Sequence, residues 1–257
     1  MIRAVLAGHR FIIEHTYDDL AEMFRDYRYD ADAVEPGCSC MSDAGAGQSG
    51  SCMSDSGRAI LIRVTDEEIM AEDDPEIGYP PAYLETLAVY RKIAEALIPE
   101  DILLFHSSAL SYRGHGLLLA APSGTGKSTH ARLWRERYGS DVVMVNDDKP
   151  LLSCADGSLT VYGTPYGGKD NLQNNIHAEV EAIVFLHQAA ANEGRRLDAH
   201  EALPLLMKQT YRSSDPQKLL RELDLLERIS RQIPVYSLGC TMDPEAPDYA
   251  RRLVGLE

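Results

Sequence analysis

The chain has 257 residues and the composition of an ordinary globular protein, enough for one large domain or a medium domain with an accessory piece. A formal net charge of −15 argues against nucleic acid and anionic membrane as main partners, because both reward clustered Lys and Arg, while leaving room for a nucleotide held by one local site. No basic start precedes a long apolar run and no stretch reaches membrane-spanning length, so a soluble, cytoplasmic protein is expected.

Residues 2–13 place a Gly-His turn between two apolar runs and predict a hairpin. Tyr17 to Tyr29 carries Leu20, Met23, Phe24 and Tyr27 at helical spacing behind early acidic residues. From Glu35 to Gly57 the composition turns to Gly, Ser, Ala, Asp and Cys, with CMSD occurring twice, which predicts an exposed loop spanning about 35–58. Three of the five cysteines, Cys38, Cys40 and Cys52, fall there without a histidine or fourth cysteine at finger-like spacing, so reduced thiols are the default. Ala59 to Val64 reads as a strand, Thr65 to Pro81 as a solvated acidic segment, and Pro81 to Ile98 as one amphipathic helix stopped by Pro99. The main boundary is placed there, giving a small α+β accessory part, 1–99, and a second part, 100–257.

The second part alternates in the manner of an α/β fold. Ile102 to Phe105, Leu117 to Ala120 and Val142 to Val145 are continuous apolar runs, as strands buried on both faces are. Shorter strands are expected near Leu159 to Tyr162, Ala182 to Leu186 and Val235 to Leu238. Helices are expected over Ser128 to Tyr138, Ala199 to Tyr211, Gln217 to Arg231 and Glu245 to Leu253.

The run GLLLAAPSGTGKST, Gly116 to Thr129, is strand, glycine turn and helix start in order. It fits the phosphate-loop pattern GxxxxGK[ST] with one departure, Ala121 for the first glycine. Small residues let successive N–H groups of Ser123, Gly124, Thr125, Gly126, Lys127, Ser128 and Thr129 face a polyphosphate, with Gly124 and Gly126 free to adopt positive φ. Lys127 at the helix start would reach the β- and γ-phosphates, and Ser128 would offer its hydroxyl to Mg²⁺. VVMVNDD then supplies Asp147 and Asp148 at a strand end, where such a loop needs an acidic partner. Consecutive strand residues face opposite ways, so one carboxylate should face the metal and the other a different part of the cleft unless the chain bends. A second carboxylate beside the γ-phosphate can accept the proton of an attacking hydroxyl; alternatively it caps the next turn.

HSSAL at His106, PSGTGKST and the aspartate pair together resemble the core of the HPr kinase/phosphorylase family, which is related to phosphoenolpyruvate carboxykinases. The match covers about residues 101–150. The resemblance implies a kinase core of that type, Asp147 as general base, Asp148 as metal ligand with Ser128, and His106 on the strand before the loop, near phosphate or metal. The Glu-containing Gly-rich signature of true HPr kinases is missing, and GTPYGGKDNLQNN (Gly163 to Asn175) stands in its place. With Thr129, His130, Leu133, Trp134 and Asn146 to Pro150, this resembles a bacterial HPr-kinase-like subgroup whose substrate is unassigned. Lys169, between glycines and Asp170, is a candidate for pairing with phosphate or a substrate carboxylate. His130 and Trp134 read as packing residues, and Arg212 as a candidate phosphate contact.

The expected activity is Mg²⁺-dependent transfer of the γ-phosphate of ATP, or another nucleoside triphosphate, to a hydroxyl of a small molecule or a peptide or protein serine. The alternatives are a nucleotide-sensing module without transfer and carboxykinase chemistry. A homo-oligomer is implied only by the resemblance.

Overall fold

The computed structural model describes residues 1–30, 59–122, 124–155 and 157–256. The expected loop at 35–58 with its three cysteines, and Ser123, therefore lie outside the described residues.

β1 (Ile2–Leu6) and β2 (His9–Ile13) pair antiparallel through Ala7 and Gly8, both at positive φ (46° and 81°), the backbone that a two-residue hairpin's twist favours. α1 (Asp18–Met23) is shorter than its periodicity suggests. The chain beyond it tightens into a 3₁₀ turn at Arg25–Tyr27, and Arg28 and Tyr29 then peel off to pair with β1. β3 (Ile60–Ile62) adds to β2 in parallel. The acidic segment after it is not simply solvated: Thr65 and Glu68 form a capping box that starts α2 (Asp66–Met70). Charge density hid a cap that residue spacing reveals. α3 (Pro81–Leu97) starts on a proline, whose missing N–H is one a helix start leaves unpaired anyway.

The larger sheet is built from β4 (Ile102–Leu104), β5 (Ser108–Tyr112), β6 (His115–Ala120), β7 (Val142–Asn146), β8 (Leu151–Ser153), β9 (Thr160–Tyr162), β10 (His177–Gln188), β11 (Glu193–Arg196) and β12 (Val235–Cys240). Its helices are α4 (Lys127–Tyr138), α5 (Ala199–Gln209), α6 (Pro216–Gln232) and α7 (Ala246–Val254). The strand order is β4-β8-β9-β10-β6-β5-β7, with β12 on the later half of β10 and β11 on β12. β6, β10 and β12 run parallel and the rest pair antiparallel, so the fold is mixed α/β.

Hydrophobic runs predict only part of this sheet. The run expected at Ala182 to Leu186 is the doubly covered half of a 12-residue strand. Its first half alternates exposed and buried because only one face is packed, and β9 pairs with it there. β7 is not buried on both faces: Val143 is 45% exposed because the strand lies at the sheet's edge. In β6 the side chains divide between two cores. Leu117 and Leu119 pack with Ala131, Trp134 and Ala250 of α4 and α7, while Leu118 and Ala120 pack with Leu206, Leu225 and Ile229 of α5 and α6. A third core joins the small sheet and α3 to Ile102, Leu151 and Tyr166.

Candidate functional site

The turn between β6 and α4 takes its shape from its glycines. Gly124 and Gly126 have φ of 78° and 117°, a region where a Cβ is strained. Ala121 is fully buried among Ala131 and Trp134 and is not a positive-φ residue, so the alanine in place of glycine is accommodated without strain. Lys127 Nζ donates to the Ala121 carbonyl at 2.8 Å, tying the two ends of the turn together. Burial pushes the Lys127 ammonium's pKa down, and Asp148 opposes that shift.

The segment from Asn146 to Pro150 links β7 to β8 and does not stay extended. Asn146 Oδ1 accepts the N–H groups of Asp148 (2.9 Å) and Lys149 (2.8 Å), an Asx-type turn that bends the chain. Its Nδ2 donates to the carbonyl (3.2 Å) and hydroxyl (3.1 Å) of Thr164. The Lys149 carbonyl accepts from Thr164 Oγ1 (2.8 Å) and Tyr90 OH (2.5 Å). Across that bend Asp147 and Asp148 line one cleft but meet different partners there, Asp147 the Gly168 N–H and Asp148 the His106 ring and the Lys149 ammonium.

Three chain segments converge on that bend because of strand register. Leu104, Leu151 and Tyr162 stand side by side at the end of β4, the start of β8 and the end of β9. His106 therefore lies two residues past the end of β4, in the link to β5 and not in a strand. Its ring Nε2 is 3.2 Å from Asp148 Oδ1, and its backbone N–H donates to Gln209 O at 2.7 Å. The glycine pair after β9 packs on Asp147: Gly168 N–H donates to Asp147 Oδ1 at 2.7 Å, and a Cβ built on Gly168 would stand 2.8 Å from Asp147 Oδ2.

The two aspartates are driven in opposite directions. Burial raises the Asp147 carboxyl above its ordinary value, and the Gly168 N–H offsets this only in part. Burial also raises Asp148, but the bond to His106 and the Lys149 ammonium at 3.2 Å outweigh it, so the net shift is downward. Asp148 is thus held as a carboxylate, while Asp147 is a less favourable anion with a readier grip on a proton.

The cleft encloses about 960 Å³. Gly124, Gly126, Lys127, Ser128 and Thr129 line one side, and the exposed Lys169 extends into its lining from the glycine pair. Thr125 faces a neighbouring depression instead. The N-terminal part also contributes to the lining, with Met23 of α1 and Tyr83 and Leu87 of α3. Arg212 is not among the cleft residues and lines a small crevice beside α6. His130 and Trp134 are buried under the turn, as packing residues should be. Sequence reading missed Asn146 and Thr164 as the residues that set the bend; an Asn directly before the aspartates is the signal for the first.

Among the described residues no group of three His, Cys, Asp or Glu gathers to hold a metal, and no helix is long and apolar enough to cross a membrane. Mg²⁺ does not need such a cluster: one or two carboxylates beside phosphate oxygens suffice, and the Ser128 hydroxyl and Asp148 carboxylate in one cleft are donors of that kind.

No family model matches the chain, and no curated protein does. Among solved structures, the HPr(Ser) kinase/phosphatase from Coxiella burnetii is similar over 59% of this chain and 88% of that one, at 14% identity and a TM-score of 0.34. A likeness of that size carries no argument about activity.

Proposed function

We propose that the chain is a Mg²⁺- and ATP-dependent kinase that transfers the γ-phosphate to a hydroxyl of a small molecule or of a peptide or protein serine. The observation that carries this reading is the pair of adjacent carboxylates with opposite shifts, brought by one bend into the cleft that Lys127 and Ser128 line. A sensor needs only the ionised member. A buried carboxylate with a raised proton affinity, held in place by a backbone N–H, suits the general base of a transfer.

In this reading Asp147 takes the proton of the acceptor hydroxyl as its oxygen forms the bond to the γ-phosphorus. The bond from that phosphorus to the β–γ bridging oxygen breaks, and the nucleoside diphosphate leaves. Lys127, released from the Ala121 carbonyl, balances the negative charge of the β- and γ-phosphates. Ser128 and Asp148 would hold Mg²⁺, which supplies charge neutralisation of the phosphates. His106, bonded to Asp148, orients that carboxylate. Lys169 stands where it can pair with an anionic group of phosphate or acceptor. Met23, Tyr83 and Leu87 give the acceptor side an apolar wall, so the N-terminal part selects the acceptor.

Labelled γ-phosphate transfer from ATP into a cell extract tests the proposal. The wild type is expected to label a discrete product. Lys127→Ala and Asp147→Asn should each lower labelling by roughly two orders of magnitude or more, with Asp147→Asn still binding ATP. Undiminished transfer by Asp147→Asn would remove it as the base, and absence of any labelled product would leave no case for a kinase.

A further inference from the structure

The glycine turn has a second open side. Between α4 and the C-terminal ends of β10 and β12 lies a separate depression of about 480 Å³, in the size range of sites for small organic ligands. Gly124, Gly126 and Thr129 border both this depression and the cleft that holds Asp147. Two cavities flanking one phosphate-binding turn match a ligand with a phosphate chain in its middle and a different group at each end.

We propose, resting on the kinase reading above, that this depression receives the nucleoside of the triphosphate donor, fixing the γ-phosphate toward Asp147 and the acceptor. The topology supports that polarity. β6, β10 and β12 are parallel neighbours, so their C-terminal ends share one edge, and ligands of open α/β sheets bind outside such ends. The lining also has the right chemistry. Leu133, Ala189 and Met242 offer apolar surface to a planar ring, and Gln188 and Thr241 add polar groups.

His130 is the second, independent pointer. It lines the depression at 2% exposure, and neither ring nitrogen has a hydrogen-bond partner among the described residues. Buried polar groups are nearly always paired, so an orphaned imidazole marks hydrogen bonds that the protein itself does not supply. Burial pushes its pKa down to about 4, so the ring is neutral and offers one donor and one acceptor. A base edge or ribose hydroxyl presents matching groups. Packing under the turn and contacting a nucleoside are compatible roles for this one ring.

Binding of ATP and of inorganic tripolyphosphate, both with Mg²⁺, separates the two halves of the ligand. Ala189→Phe, at a half-buried residue just past the end of β10, is expected to fill the depression and weaken ATP by roughly tenfold while leaving tripolyphosphate unchanged. His130→Phe, which removes the ring nitrogens but keeps an aromatic fill, is expected to weaken ATP several-fold with the same selectivity. Lys127→Ala should weaken both ligands. Unchanged ATP binding in both pocket variants, with Lys127→Ala still weakening both ligands, would overturn the nucleoside site and leave the phosphate reading standing. Equal loss of both ligands in the pocket variants would also overturn it, since the turn itself would be disturbed. If neither ligand binds the wild type, the kinase reading falls first and takes this site with it.

Discussion

The two chain segments that meet in the cleft are built on opposite principles. The turn at 121–129 is shaped from within: two positive-φ glycines, a helix start and a lysine bonded to the turn's own first carbonyl. The link at 146–150 is shaped from outside. Thr164, Tyr90 and Gly168 are distant in sequence, yet each bonds this short stretch or its carboxylates. A self-contained segment resists change elsewhere and fails when its own residues change. A braced one is aimed by its neighbours, so residues that touch no ligand should control its chemistry.

The sharpest way to break that contrast is at Gly168. Its φ is not positive, so alanine is conformationally allowed there, but the added Cβ would press on Asp147 Oδ2 at 2.8 Å. A terminal carboxylate yields by rotating, at small cost to the fold and large cost to its aim. Gly168→Ala is expected to lower kcat by about 10²-fold, because a misplacement near 1 Å at a reacting group has that effect, with ATP affinity and Tm nearly unchanged. A variant with wild-type kcat would show that the glycine pair does not hold the base.

Asn146 tests the bracing itself. Its amide makes four hydrogen bonds in a fully buried position. Asn146→Ala removes them and leaves N–H and C=O partners without bonds, at about 2 to 4 kcal/mol of stability. The expected result is a lower urea midpoint with an unchanged m-value. No change in midpoint would mean that the bend is set by the flanking strands alone.

The same contrast decides what was legible in the sequence. The turn could be read because its determinants are contiguous: GTGKS gives the glycine positions and the helix start, and Ala121 needed only its φ to be resolved. The doubly buried strands β4 and β6 could be read from their apolar runs. β5, β8 and β11 could not, because SALSY, LLS and EGRR are strands by virtue of their partners and not of their own pattern. Asp147 and Asp148 were visible as residues, but strand alternation alone leaves open whether the chain bends between them and so which part of the cleft each one meets. Their shared cleft depends on Asn146 finding Thr164 eighteen positions away. Likewise, nothing local in α1 or α3 marks Met23 or Tyr83 as facing the cleft; that follows from packing between distant elements.

The smallest expected effect contrasts the two neighbours directly. Asp147 has a folded pKa above its ordinary value, so its contribution favours the fold below the unfolded value of about 4 and is lost as pH rises through the raised one. At neutral pH its charge therefore works against the fold. Asp147→Asn, which keeps an oxygen for the Gly168 N–H, should raise Tm at neutral pH, and the gain should fade as the pH falls through the raised folded value and be gone below about 4. Asp148 has the opposite sign. Its lowered value stabilises the fold above the unfolded value, and that contribution is lost as pH falls through the folded one. Asp148→Asn should lower Tm at neutral pH, with the deficit shrinking in acid. Thermal melts of the two variants and the wild type across that range check both signs at once. If both substitutions moved Tm the same way at neutral pH, the two carboxylates would share one electrostatic environment, and the assignment of base to one and ionised metal ligand to the other would lose its physical ground.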